Sequence, residues 1–164
     1  MKILVTGAKG FVGRNLCAEL KNRGFTDLYE YDLDTNPALL GEYAHDCEFV
    51  FHLAGVNRPE NPEDFMRGNF GFTSNLLEAL KQHHNQCPIV LSSSIQAERN
   101  NEYGNSKRAG ERLLAEYGEQ TGAKVLIYRF PNLFGKWSRP NYNGVIATFC
   151  HNISRGLPIQ INDP

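Results

Sequence analysis

The chain has 164 residues, 41% hydrophobic and 21% charged, with a formal net charge of −1. That suits one domain with a real core and excludes wholesale disorder. No basic excess argues for nucleic acid or an anionic membrane as partner, and no apolar run is long enough to span a bilayer.

"KILVTG" (2–7) is a near-continuous apolar run, the pattern of a strand buried on both faces. It follows the first methionine with no signal-peptide pattern between. Phe11 to Arg23 has helical spacing, with Val12, Leu16 and Leu20 on one face, and Gly24 ends it. "TDLYEYD" (26–32) reads as a second strand, Pro37 to Tyr43 as a short helix, and "CEFVFHLAG" (47–55) as a third strand. Pro62 to His83 carries a long helical pattern, and "CPIVLSSS" (87–94) is a fourth strand. Glu102 to Tyr117 is helical, closed by Gly118 or Gly122, and "AKVLIYRF" (123–130) is a fifth strand. Tyr142 to Arg155 reads as a helix and "PIQIN" (158–162) as one more short strand. Strand–helix alternation with short loops predicts a parallel sheet covered on both sides. Right-handed crossovers make it a doubly wound, Rossmann-like α/β sheet.

Cys17, Cys47, Cys87 and Cys150 form no C-x-x-C, and we read them as reduced, mostly half-buried thiols of a cytoplasmic protein. The five histidines lack metal-ligand spacing, so no metal site is expected. His83 and His84 fall near a helix C-terminus, where positive charge is favoured.

Three clusters carry chemistry. The first is "TGAKGFVG", with Gly7, Gly10 and Gly13 between the first strand and the first helix. A dinucleotide pyrophosphate needs close backbone approach, free N–H groups and a positive helix end there. Asp32 lies 19 residues past Gly13, at the end of the next strand, where a carboxylate accepts hydrogen bonds from the adenosine ribose of NAD and repels a 2′-phosphate. Lys9 and Arg14 pull the other way, so NAD and NADP both stay open. The plainer alternative for the loop is an ordinary tight turn.

The second cluster is "SSSIQAERNNEYGNSK" (92–107). Tyr103 and Lys107 are four apart, one turn apart on one helix face. A tyrosine near its ordinary pKa of about 10 is a poor acid or base at neutral pH, and a nearby ammonium lowers that value. Lys107 is therefore expected to tune Tyr103 as a general acid or base. Ser94 ends the fourth strand, at the edge where open α/β sheets bind ligands, and its hydroxyl could steady a substrate oxygen. Y-x-x-x-K alone is common in helices. The alternative is a surface Tyr and Lys with capping serines. The third cluster, "YRFPNLFGKWSRPNYN" (128–143), offers Arg139 for a diphosphate and Trp137 or Tyr142 for stacking on a base. For any single residue there, a packed loop closing the core is an equal alternative.

The glycine triplet, "HLAG" (52–55), Asn69 in "GNFGFTSNLLEAL", Ser94, Tyr103 with Lys107, and "PNLFG" (131–135) together resemble the extended short-chain dehydrogenase/reductases, the NAD-dependent epimerase/dehydratase family. More narrowly, "HLAGVNRPE", "SSSIQA", "YGNSK" and "PNLFGKWSRPNYNGVIATFC" are similar to reductase domains of capsular polysaccharide synthesis. That resemblance implies NADPH-dependent reduction of a 4-keto group on a UDP-linked 6-deoxy-N-acetylamino sugar. It implies Ser94, Tyr103 and Lys107 as the catalytic triad, with Lys107 also holding the nicotinamide ribose. It implies cofactor contacts from Gly7, Gly10, Phe11, Val12, Gly13, Asp32, Leu53, Ala54, Gly55 and Phe130. The nucleotide sugar would meet Asn69, Ser94, Asn132, Arg139 and Tyr142.

The sequence departs from the family in three places. The stretch between Asp32 and "HLAG" is too short for another helix and strand, so we expect strand order 2-1-3-4-5 and an open adenine pocket. Ile95 and Gln96 follow Ser94 where the 4,6-dehydratases of the family place an Asp-Glu pair; neither is acidic, which disfavours dehydration and leaves reduction or 4-epimerisation. The substrate lobe is short: residues from about 136 to 164 read as the start of an incomplete one, as in a truncated product. Two other functions stay open, a 4-epimerase with tightly held NAD and a non-catalytic dinucleotide-binding module. A homodimer through helices 62–83 and 102–117 also stays open.

Overall fold

A computed structural model describes residues 1–161. They divide into two compact units, one spanning Met1–Phe130 and the other running from Pro131 onward.

The first unit is a five-stranded parallel sheet, β1 (Ile3–Thr6), β2 (Leu28–Tyr31), β3 (Phe49–His52), β4 (Ile89–Ser94) and β5 (Val125–Phe130), in the order β2-β1-β3-β4-β5. The expected order holds. Helices α1 (Phe11–Asn22), α2 (Leu39–Asp46), α4 (Phe72–Gln82) and α5 (Glu102–Thr121) cover the sheet. Successive strand residues face opposite sides, so two cores form. Ile3 and Val5 pack with Cys17 and Leu20 of α1 on one face. Leu4, Val50, Ile89 and Leu91 pack with Leu76, Leu80, Leu114 and Tyr117 on the other. Cys47 and Cys87 are buried in that second core with sulfurs 3.8 Å apart, whereas Cys150 is exposed.

The long helix predicted over 62–83 is broken. A short α3 (Glu63–Phe65) leads into a π-helical segment, Met66–Gly71, and only then into α4. The Phe72 amide reaches back to the Arg67 carbonyl, one residue further than in an α-helix. A short 3₁₀ turn, Ile95–Glu98, joins β4 to α5. Asn101 caps α5 by accepting from the Gly104 amide at 2.7 Å. Gly122, at φ +79°, ends it in the left-handed conformation that glycine adopts without penalty.

In the second unit α6 (Val145–Ile153) is shorter than the predicted 142–155, because Tyr142 and Asn143 form a turn before Gly144. Residues 158–161 are not the expected strand; Asn162 lies outside the described residues. A strand needs a ladder partner for its amides and carbonyls. Here the Pro158 carbonyl instead accepts from the Asn152 side chain at 2.9 Å.

Candidate active site

Every strand of the first unit points its carboxyl end the same way, so the segments after β1, β2, β3 and β4 lie at one sheet edge. The glycine loop follows β1. Gly7 sits at φ +70°, and a Cβ there would lie 2.7 Å from the Ala54 amide nitrogen. A Cβ on Gly13 would lie 2.1 Å from the Gly7 carbonyl oxygen, so α1 can seat against its own loop only with glycine at 13. Gly10 is the N-cap of α1; no side chain caps the helix and no acidic residue sits in its first turn. The first-turn amides at Phe11, Val12 and Gly13 lack intrahelical partners. Donors, a positive helix end and close backbone access therefore coincide, and the loop fits a dinucleotide pyrophosphate.

Asp32 follows β2 and is tied to this loop. Its carboxylate accepts the Lys9 amide at 2.7 Å and the Leu33 amide at 2.8 Å. The Lys9 ammonium pairs with Asp34, which raises the lysine pKa. Lys9, one of the two cations set against Asp32 in the choice of cofactor, is thus already partnered by a carboxylate.

Leu53, Ala54 and Gly55 follow β3. His52, the last residue of that strand, is buried and bridges three elements. The Thr73 hydroxyl donates to the Asn69 carbonyl at 2.6 Å, so His52 Nε2 donates to Thr73 Oγ1 at 2.8 Å. Nδ1 then accepts from the Thr6 hydroxyl at 2.7 Å. Burial, helped by the Lys107 charge, pushes the His52 pKa down to about 3 and keeps the ring neutral.

Asn69, expected to meet the nucleotide sugar, makes three hydrogen bonds within the protein through its side chain. It is buried in the π-helical segment. Its Oδ1 accepts the Val56 amide at 2.9 Å, and its Nδ2 donates to the Val56 carbonyl and to Ser106 Oγ, both at 3.0 Å. It clamps the loop after β3 to α5. A Cβ on Gly55 would lie 2.7 Å from Asn69 Oδ1 and 3.5 Å from Lys107 Nζ, which is why that clamp needs glycine beside it.

Ser94, Tyr103 and Lys107 converge here. Ser94 closes β4, its Oγ accepts the Gln96 amide at 3.2 Å, and its side chain hydrogen-bonds Tyr103. Phe65 packs against the Tyr103 ring at 5.6 Å between centroids. The expectation that Lys107 lowers the Tyr103 pKa is corrected: burial raises it, and only the Ser94 hydrogen bond pulls it down. The ammonium is directed elsewhere. Lys107 Nζ donates to the Ser92 carbonyl at 2.7 Å, and burial drives its own pKa down to about 8 against the opposing pull of Glu111.

Sequence reading missed the residues beneath this trio. Glu111 is buried and accepts from Ser93 Oγ at 2.5 Å and from Arg129 at 2.9 and 2.7 Å. Arg129 also reaches Glu98, in the turn after Ser94, at 2.9 Å. The signal was present: Tyr103, Lys107 and Glu111 recur every four residues. Nothing in "FVFHLAG" marked His52, whose partners come from β1 and α4.

Phe130 closes β5 at the same sheet edge. Asn132, Arg139 and Tyr142 belong to the second unit. There the Arg139 guanidinium lies over the Tyr142 ring, 5.4 Å from its centroid. Among the described residues no cluster of His, Cys, Asp or Glu could hold a metal ion, and no helix is long and apolar enough to cross a membrane.

The model of the NAD dependent epimerase/dehydratase family matches residues 3–163. The chain belongs to that family. Among epimerase/dehydratase relatives it is 55% identical, over 163 residues, to the UDP-2-acetamido-2,6-beta-L-arabino-hexul-4-ose reductase of Pseudomonas aeruginosa, covering 99% of this chain and 44% of that protein. It superposes on the capsular polysaccharide assembling protein CapF from Staphylococcus aureus with a TM-score of 0.86 at 50% identity, covering 99% of this chain and 44% of that one. It also superposes on MoeE5 in complex with UDP-glucose and NAD, with a TM-score of 0.82 at 26% identity, covering all of this chain and 64% of MoeE5. The chain thus spans less than half the length of the first two relatives.

Proposed function

We propose that this chain is the dinucleotide-binding and catalytic part of a reductase in capsular polysaccharide synthesis, acting on a UDP-linked 4-keto-6-deoxy-N-acetylamino sugar. The observation that carries the reading is the placement of Ser94, Tyr103 and Lys107 at the sheet edge that also holds the glycine loop, in a chain 55% identical to a nucleotide-sugar reductase. A reduced nicotinamide, when bound, supplies the hydride for the sugar C4.

The protein groups divide the remaining work. Gly7, Gly10, Phe11, Val12 and Gly13 receive the pyrophosphate, Asp32 the adenosine ribose, and Leu53, Ala54, Gly55 and Phe130 flank the cofactor. Tyr103 donates a proton to the C4 oxygen, and Ser94 hydrogen-bonds that oxygen as charge develops. The raised Tyr103 pKa suits this direction, because a reductase needs the phenol protonated at the start. Lys107 holds the nicotinamide ribose. Asn132, Arg139 and Tyr142 are the residues of the second unit assigned to the nucleotide sugar. Ile95 and Gln96 offer no acid–base pair for removing water across C5–C6. Asp32 beside the glycine loop and the pairing of Lys9 with Asp34 support NADH over NADPH.

The test is titration with NADH and with NADPH followed by nicotinamide fluorescence, with Gly10→Asp as control. Saturable binding that is tighter for NADH and lost in Gly10→Asp is expected; no binding of either cofactor would overturn the reading. Cofactor oxidation by the UDP-linked 4-keto sugar then tests the substrate class.

A further inference from the structure

The three residues of the proposed chemistry lie on two elements, Ser94 on β4 and Tyr103 with Lys107 on α5, and Glu111 joins those elements. It sits one helical turn beyond Lys107 on the same face of α5. Ser93, next to Ser94, donates to its carboxylate at 2.5 Å. Arg129 of β5 grips both carboxylate oxygens at 2.9 and 2.7 Å and reaches Glu98 of the 3₁₀ turn at 2.9 Å. The strand carrying Ser94, the turn leaving it and the helix carrying Tyr103 and Lys107 are therefore fastened at one buried carboxylate.

We propose that Glu111 is a positioning residue for the Ser94–Tyr103–Lys107 site: it locks α5 against the ends of β4 and β5, and its negative charge keeps the buried Lys107 in its ammonium form. The proposal rests on reading Lys107 as part of the catalytic machinery. Lys107 is only 8% exposed, and its one hydrogen bond among those described goes to a neutral carbonyl, that of Ser92. The other charged or titratable groups around it do not replace Glu111. His52 of β3 is neutral. Tyr103 of α5 holds its proton. Arg129 of β5 adds positive charge and Glu98 pairs with that arginine. Arg67 of the π-helical segment pairs with Asp64, and Arg108 of α5 turns to Ala97 and Asn105. Burial raises the Glu111 pKa, but its hydrogen bonds to Arg129 and Ser93 and the charges of Arg129 and Lys107 outweigh that, so the carboxylate stays ionised.

The decisive experiment is a pH titration of lysine side chains by NMR on the 164-residue chain labelled with ¹³C at lysine Cε, with the Lys107 signal assigned by its loss in Lys107→Arg. A midpoint near 8 is expected in the parent. Glu111→Gln keeps the size and one acceptor oxygen, turns the other into a donor and removes the charge, and it should lower the midpoint by about one pH unit. Arg129→Gln removes a competing cation and should raise it. A folded Glu111→Gln variant with an unmoved Lys107 midpoint overturns the proposal. If Glu111→Gln fails to fold, Arg129→Gln decides: a rise supports the proposal, and no change or a fall overturns it. NADH titration of the same samples separates the two readings. Failed binding with shifted midpoints sinks the reductase assignment alone; intact binding with unmoved midpoints sinks the role of Glu111 alone.

Discussion

A buried lysine ammonium opposes folding, and Lys107 is the plainest case in this chain. Its pKa falls from 10.5 to about 8 on folding, chiefly through burial. Below pH 8 both the folded and unfolded states are charged, so the full desolvation cost is felt. Between pH 8 and 10.5 the folded state sheds its proton first, and stability rises with pH. Lys107→Met should therefore be more stable than the parent at pH 7, by about 1–3 kcal/mol after loss of the Ser92 hydrogen bond is counted. Urea unfolding across that window should slope upward for the parent and lie flat for the variant, which should also lose turnover. Tyr103→Phe separates binding from chemistry. It removes the proton and leaves the ring against Phe65, so NADH affinity should hold while turnover falls about 10²–10⁴-fold.

At the scale of elements, the site depends on how three short segments are pinned. The π-helical segment brings Asn69 onto the Val56 backbone, and His52 links β1, β3 and α4 through Thr6 and Thr73. That histidine must stay neutral to accept from Thr6. Above pH 6.5 it is neutral whether folded or not. As pH falls from 6.5 toward 3, the unfolded chain takes up a proton that the folded chain refuses, and stability drops over that window. Unfolding free energies measured at stepped pH should show the drop in the parent and a weaker one in His52→Gln. Gly104 carries the contact between α5 and the 3₁₀ turn: a Cβ there would lie 2.2 Å from the Gln96 carbonyl oxygen. Gly104→Ala should cost about 1–3 kcal/mol by overpacking and should displace Tyr103 from Ser94, read as lowered Tm together with lost turnover.

At the scale of the whole molecule, apolar surface is distributed unevenly. Phe134, Ile146, Ile153, Leu157 and Ile161, all in the second unit, are each at least 43% exposed. Exposed apolar side chains of this kind bind hydrophobic probes and promote association. The chain should enhance the fluorescence of anilinonaphthalene sulfonate, and Ile146→Lys with Ile153→Lys should reduce that signal without altering NADH affinity. An unchanged signal would place the exposed apolar surface elsewhere.

The periodicity of the sequence determined the doubly wound sheet and the positions of Gly7, Gly10, Gly13, Asp32, Ser94, Tyr103 and Lys107, because strand alternation, helix spacing and glycine turns are local properties; the strand order came from the family resemblance and the short stretch before "HLAG". Local pattern also misplaced two elements: it saw one helix over 62–83, since a π-helical turn hardly disturbs apolar spacing, and it saw a strand at 158–162, since apolar residues show no ladder partner. Only the tertiary structure decided which way the Lys107 ammonium turns, that Asn69 clamps Val56, and that Glu111, Arg129 and His52 brace the site. Those facts depend on side chains far apart in sequence meeting in a buried, weakly polar interior, where a hydrogen bond or a neighbouring charge outweighs the intrinsic preference of any one residue.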